Sequence, residues 1–199
     1  MRIVGGEFRG RTLATPKSND IRPTVDRTRE SLFNILAHAH PGVLDGTRIL
    51  DLFAGTGAVG IEALSRGCKS ALFVENSVEG RGLLWENIDA FGLHGRARML
   101  RRDATDLGPA NNIEPFDLVF ADPPYGMSQK EFETIIELIF ERELLDEEGM
   151  LVVEHSKYTK LDHMANYSFQ KNYGGSVFTF FEFEGDDEES DDVEDEDES

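Results

Sequence analysis

The chain has 199 residues, with 20 basic against 39 acidic side chains, a net charge of −19, 39% apolar and 10% aromatic content. That length supports one α/β domain, which at this size buries roughly 70% of the surface its unfolded chain exposes and needs neither disulfide nor metal to hold a core. A single cysteine, Cys68, excludes a disulfide framework and a cysteine-based metal cluster and suits a reducing cytoplasm, and no apolar run approaches the ~18 residues of a membrane span.

In chain order, residues 1 to 15 read as short extended pieces turned at Gly5-Gly6 and Gly10. They lack a signal-peptide apolar stretch and belong to the mature protein. After Pro23 a helix is expected from about Thr24 to Ala39, with Leu32, Phe33, Ile35 and Leu36 inward and Pro41-Gly42 as its stop. A first strand at Arg48 to Phe53 leads through a glycine-rich turn into a helix from Ala58 to Gly67. Then come a strand at Ala71 to Glu75, a helix from Val78 to Phe91, and strands at Ala97 to Leu100 and Asp117 to Ala121. A helix through Phe132, Ile135, Ile136, Ile139 and Phe140 precedes a strand at Met150 to Glu154. Ser168 to Gln170 and Ser176 to Phe183 then form an antiparallel pair at the sheet edge. Alternating strands and helices predict a mostly parallel, seven-stranded sheet with helices on both faces. The expected organisation is an N-terminal extension over 1–45, a cofactor-binding domain over 46–184, and a disordered tail over 185–199.

Charge is unevenly placed. Residues 186 to 199 contain eleven acids and no base, and without them 28 acids face 20 bases. Such a segment repels itself and buries too little apolar surface to order. The first 30 residues carry seven bases, Arg2, Arg9, Arg11, Lys17, Arg22, Arg27 and Arg29, against four acids. This basic patch is either a solvated surface or a polyanion contact.

Gly55-Thr56-Gly57-Ala58-Val59-Gly60 fits G-x-G-x-x-G between a strand and a helix, and Glu75 follows Gly55 by twenty residues, placed to bond ribose hydroxyls. That coincidence points to an adenosine-type cofactor, against the alternative of a tight strand-to-helix turn with no ligand, and Asp51 discriminates the cofactor's charge. A dinucleotide would set a pyrophosphate over the helix N-terminus, where a nearby carboxylate opposes it, whereas S-adenosylmethionine sets an ammonium there. A structural Asp capping the turn is the alternative. Asp103, after the third strand, is placed to accept from the amine of adenine.

The fourth strand runs into Asp122-Pro123-Pro124-Tyr125. Two prolines lack amide hydrogens and stiffen the loop. The exocyclic amine of a nucleobase is a poor nucleophile because its lone pair is delocalised into the ring. Asp122 and the Pro123 carbonyl could each accept one N–H bond and aim that lone pair at an incoming methyl. Tyr125 offers a face for an extruded base.

Asp51 to Ala63, Asp-Leu-Phe-Ala-Gly-Thr-Gly-Ala-Val-Gly-Ile-Glu-Ala, together with Asp122 to Tyr125, resembles the first and fourth motifs of amino-directed, S-adenosylmethionine-dependent methyltransferases. The start, Met1 to Leu13, with Ile21 to Leu36 and Gly149-Met-Leu-Val-Val-Glu154, resembles the RsmD family over residues 1 to about 183, and the acidic tail lies outside that pattern. The resemblance implies a Rossmann-like class I methyltransferase fold and methylation of the guanine N2 amine in 16S ribosomal RNA, in an assembled or assembling small subunit. A monomer is expected, and the chemistry at the amine needs no metal. The resemblance places Asp51, Gly55 and Gly57 at the methionine end of the cofactor, Glu75 at its ribose and Asp103 at its adenine. Phe53, Asn76, Ala104 and Asp122 complete the cofactor set, while Asp122, Pro123 and Tyr125 hold the target base. Arg2, Arg9, Arg11, Lys17, Arg22 and Arg27 are the expected nucleic-acid contacts, with Arg22, Thr24 and Arg27 over either cofactor or RNA. Competing functions are a DNA adenine N6-methyltransferase, a protein-amide methyltransferase, and a cofactor-binding or ribosome-assembly module without turnover.

Overall fold

The computed structural model describes residues 1–17, 25–107 and 113–185. Arg22 and Thr24 lie outside these, as do all but the first residue of the expected acidic tail. Seven strands form one sheet in the order β3-β2-β1-β4-β5-β7-β6. The strands are β1 (Arg48–Leu52), β2 (Ser70–Val74), β3 (Ala97–Leu100), β4 (Phe116–Ala121), β5 (Leu145–His155), β6 (Tyr167–Tyr173) and β7 (Ser176–Phe181). Helices α1 (Asp26–Ala39), α2 (Ala58–Ser65), α3 (Val78–Ala90) and α4 (Gln129–Glu141) complete the fold. β1 to β5 are mutually parallel, as crossover helices require. Within the edge pair, β7 is the antiparallel strand, inserted between β5 and β6.

Alternation along the strands builds two apolar layers. Ile49, Phe73, Leu118, Phe120 and Val152 face α1, α2 and α3, where Leu32, Phe33, Ile61 and Leu84 meet them. Leu50, Val74, Val119, Ala121 and Val153 face Phe132, Ile135, Ile136 and Ile139 of α4. Strands buried on both faces read as near-continuous apolar runs, which is why β4 and β5 stood out in the sequence. The first layer also takes in Ile3, Phe8 and Leu13, so the N-terminal extension shares the core of the sheet domain.

A buried ionic cluster ties the extension down. Arg29 and Glu62, both with fully buried side chains, pair at 3.0 Å, and Arg66 reaches the other Glu62 oxygen at 2.9 Å. Glu62 also accepts from the backbone N–H groups of Val4 and Gly5, at 2.9 and 3.0 Å. Arg29 donates to Asp26 at 3.1 Å and to the Arg2 carbonyl. Gly6 is required beside it: with φ +79°, a Cβ there would stand 1.9 Å from the Ser65 carbonyl oxygen.

β5 starts five residues before the expected Met150. Its first half, through Asp146-Glu147-Glu148, is polar and joins the sheet across a register shift between Phe116 and Leu118.

Candidate active site

An open cleft of about 1370 Å³ lies over the carboxyl ends of β1, β2 and β4, where the chain leaves β1 toward β2 on one side and β4 stands on the other. In open parallel sheets this switch point is where ligands bind. Asp51, Phe53, Gly55, Glu75, Asn76, Asp103, Ala104, Asp122, Pro123 and Tyr125 line it, from positions up to 74 residues apart.

Asp51 stands at the end of β1 and is 2% exposed. Its Oδ2 accepts from Gly60 N at 3.0 Å, so it fastens β1 to the first turn of α2. Burial pushes its pKa up to about 7; the Gly60 bond opposes that rise and the charge of Glu75 adds to it. The capping and cation-holding readings of Asp51 are therefore compatible: the side chain braces the turn and still lines the cleft. Phe53, two residues on, has φ 58°, a left-handed backbone uncommon for a bulky residue.

Glu75 follows β2. Its Oε2 accepts from Gly55 N at 2.5 Å and its Oε1 from Ser77 N at 3.0 Å, which fixes the carboxylate between the glycine turn and the start of α3. Gly80 makes room for it, since a Cβ there would lie 2.7 Å from Glu75 Cδ. Asp103 is exposed, and its Oδ1 accepts from both N and Oγ1 of Thr105, at 2.8 and 2.6 Å; those two bonds hold its pKa below the usual carboxylate value.

The glycines divide their work. Gly55 lines the cleft, whereas Gly57 does not: it N-caps α2 at φ 82°, and a Cβ would press to 2.5 Å from Leu84 Cδ1. Its glycine requirement therefore comes from the turn and from helix packing. Gly60 lets α2 approach β2, where a Cβ would lie 2.3 Å from Phe73 Cε1.

Beyond β4, Asp122 and Pro123 are half-buried, while Pro124 and Tyr125 are exposed, Tyr125 to 80%. Because Leu52 of β1 pairs with Ala121 of β4, the Asp122 loop begins one strand spacing from the glycine turn. Ser128 then closes the loop as N-cap of α4, its Oγ accepting from Glu131 N at 3.2 Å in a reciprocal capping box. Cys68 is fully buried, and burial pushes its thiol up to about 11, which removes it as a nucleophile.

Of the expected nucleic-acid contacts, Arg22 lies outside the described residues and the others fall into separate groups. Lys17 N donates to Glu79 of the cleft wall at 3.0 Å, and exposed Arg27 sits in the first turn of α1. Arg2 is exposed and held through its backbone beside Arg27, its N–H donating to Asp26 at 3.1 Å. Arg11 instead donates to the Ala90 carbonyl at 2.8 Å and lies over the Phe91 ring at 4.3 Å, at the far end of α3. Thirteen helical residues, about 20 Å, separate that end from the cleft. Arg9 is on the same remote hairpin, whose Phe8 is bonded to Ser65 at the end of α2. Arg102, Thr105, Glu79, Lys130 and Thr134 also line the cleft and were not expected there. An Asp-x-Thr spacing was the readable signal for Thr105.

Among the described residues no group of three or more His, Cys, Asp or Glu is placed to hold a metal, and no helix is long and apolar enough to cross a membrane.

A family described as conserved hypothetical protein 95 matches residues 1–182. Ribosomal RNA small subunit methyltransferase D of Escherichia coli is 37% identical over 172 residues, covering 86% of this chain and 83% of that protein. YlbH of Bacillus subtilis is 35% identical over 163 residues, covering 81% and 85%. The solved structure of yhhF from Escherichia coli superposes with a TM-score of 0.79 at 33% identity, over 94% of this chain and 99% of that one.

Proposed function

The chain belongs to the RsmD family of ribosomal RNA methyltransferases, and from that premise we propose that it transfers a methyl group from S-adenosylmethionine to the exocyclic N2 of a guanine in small-subunit ribosomal RNA. The observation that carries the reading is the meeting of two acidic elements in one cleft: buried Asp51 at the end of β1, and the Asp122 loop at the end of neighbouring β4.

The residues present fit the cofactor. A buried carboxylate with its pKa displaced to about 7 is stabilised by a bound cation, and the α-ammonium of the methionine end supplies one. Glu75, immobilised by two backbone amides, would take the ribose hydroxyls, and Asp103, held by Thr105, the adenine amine. Phe53, Asn76 and Ala104 supply the walls between them. The cofactor provides an electrophilic methyl carbon on a sulfonium.

Asp122 and the Pro123 carbonyl would each accept one N–H of the target amine, drawing the nitrogen toward tetrahedral geometry and directing its lone pair into the cleft. Tyr125 would stack on the extruded base, a contact worth about 1–3 kcal/mol. The proton leaves the nitrogen after methyl transfer, so no strong base is required. Positioning of this kind lowers the barrier by restricting the reactants to a near-attack geometry.

Asp122→Ala tests the division of labour. Cofactor affinity, read by calorimetry, should stay within a few-fold while methyl transfer falls by about 10²–10⁴. Equal loss of both would contradict it.

A further inference from the structure

We propose that the turn following β5, residues 156–160, is a second base platform for single-stranded RNA, with Tyr158 stacking on a nucleotide that flanks the one received by Tyr125. The proposal rests on the RNA reading given above.

β4 and β5 are parallel neighbours, with Ala121 opposite Val153, so the Asp122 loop and the 156–160 turn leave the sheet side by side at the cleft end. Gln129, the first residue of α4, staples them: its Nε2 donates to the Lys160 carbonyl at 2.5 Å and its Oε1 accepts from Lys160 N at 3.0 Å. The turn is also braced internally, with Tyr158 N donating to Ser156 Oγ at 3.3 Å and Thr159 N to the Ser156 carbonyl at 3.2 Å. The backbone that carries the ring is held in place by these bonds.

Tyr158 is 81% exposed and Tyr125 80%, more than any other large apolar side chain among the described residues. One exposed aromatic is ordinary on a protein surface. Two of equal exposure, on stapled loops beside a site for a planar ligand, match the stacking surfaces by which single strands are held.

The local charge agrees. Lys157 Nζ lies 5.2 Å from the Tyr158 ring centroid, and neither Lys157 nor Lys160 forms an ion pair among the described residues. Two carboxylates of α4 beside the turn are bonded, Glu131 in the capping box and Glu133 to Gln129 at 3.0 Å and to His163 at 2.9 Å, while Asp162 is exposed two residues past Lys160. In a chain of net charge −19, Lys157 and Lys160 give this turn two cations within four residues, of the kind phosphate contacts use.

The test uses the full chain, with unmethylated small subunits and a naked small-subunit rRNA fragment as probes. It reads methyl transfer, RNA affinity across a salt series, and S-adenosylmethionine affinity as a control for folding. Tyr158→Ala should raise KM and weaken affinity for both RNA probes about tenfold with kcat little changed. Tyr158→Phe, which keeps the ring, should recover most of that loss. Lys157→Ala with Lys160→Ala should flatten the salt slope by about 1.4, from ~0.7 per phosphate on a single strand. Unchanged RNA affinity in Tyr158→Ala, with S-adenosylmethionine affinity intact, overturns the proposal. So does a loss confined to subunits, which would mark a protein contact. If Tyr158→Ala fails to bind S-adenosylmethionine, the salt slope of the lysine pair decides. A wild-type protein that methylates neither RNA probe defeats the functional reading itself, and that result is visible before any variant is made.

Discussion

With its carboxylate sealed at the end of β1 and its pKa pushed up to about 7, Asp51 makes the ligand-free protein less stable as pH rises. The unfolded chain ionises this group near 3.8, whereas the folded chain keeps the proton to about 7, so between those values the folded state holds more protons and loses stability with increasing pH. Asp51→Asn keeps an acceptor for Gly60 N and removes the buried charge. It should flatten the decline between pH 4 and 7 and raise unfolding stability at pH 7.5 by roughly 1–2 kcal/mol, read by denaturant titration, while weakening S-adenosylmethionine binding at least tenfold. The wild-type affinity should climb as pH passes through 7 and fall again above about 8, where an α-amino group loses its charge. An affinity indifferent to pH over that range would separate Asp51 from the ammonium.

At the scale of elements, two glycines in helices should respond in opposite senses. Gly60→Ala drives a Cβ to 2.3 Å from the Phe73 ring and should cost about 2–3 kcal/mol by forcing α2 off β2. Gly82→Ala, inside α3 with open space around the new methyl beyond its own helix backbone and chain neighbours, should stabilise by about 0.5–1 kcal/mol in the same unfolding assay. The glycine turn was legible because strand, G-x-G-x-x-G and the distal Glu75 are local and ordered along the chain. Ser128-x-x-Glu131 is likewise a local signal, a capping box that marks where α4 begins. The first half of β5 was not legible: Asp146-Glu147-Glu148 carries no apolar alternation, and its place is set by pairing with β4. Nor was the Arg29–Glu62 pair, since nothing local links residues 33 apart that meet only when α1 packs on α2. Losing one partner leaves the other charge buried, so Glu62→Ala should cost about 3–5 kcal/mol in unfolding stability.

Across the whole molecule, the basic residues of the N-terminal extension are split between two ends. Composition could count them but could not say where the hairpin folds. Arg11 lies against Phe91 and the Ala90 carbonyl about 20 Å from the cleft, so Arg11→Ala should lower stability by about 1 kcal/mol and leave the salt dependence of RNA binding unchanged. Lys17 and Arg27, at the cleft end of the fold, should flatten that dependence when changed together to Ala. The sheet places Asp51, Glu75, Asp103 and Asp122 around a single cleft, and the function proposed here depends on that convergence acting on a base amine. Incubating the protein with labelled S-adenosylmethionine and unmethylated small subunits, then digesting the RNA and identifying the labelled nucleoside, tests this directly. Label on guanosine N2 is the expected result; label on an adenine amine, a ring carbon or a ribose oxygen would contradict it.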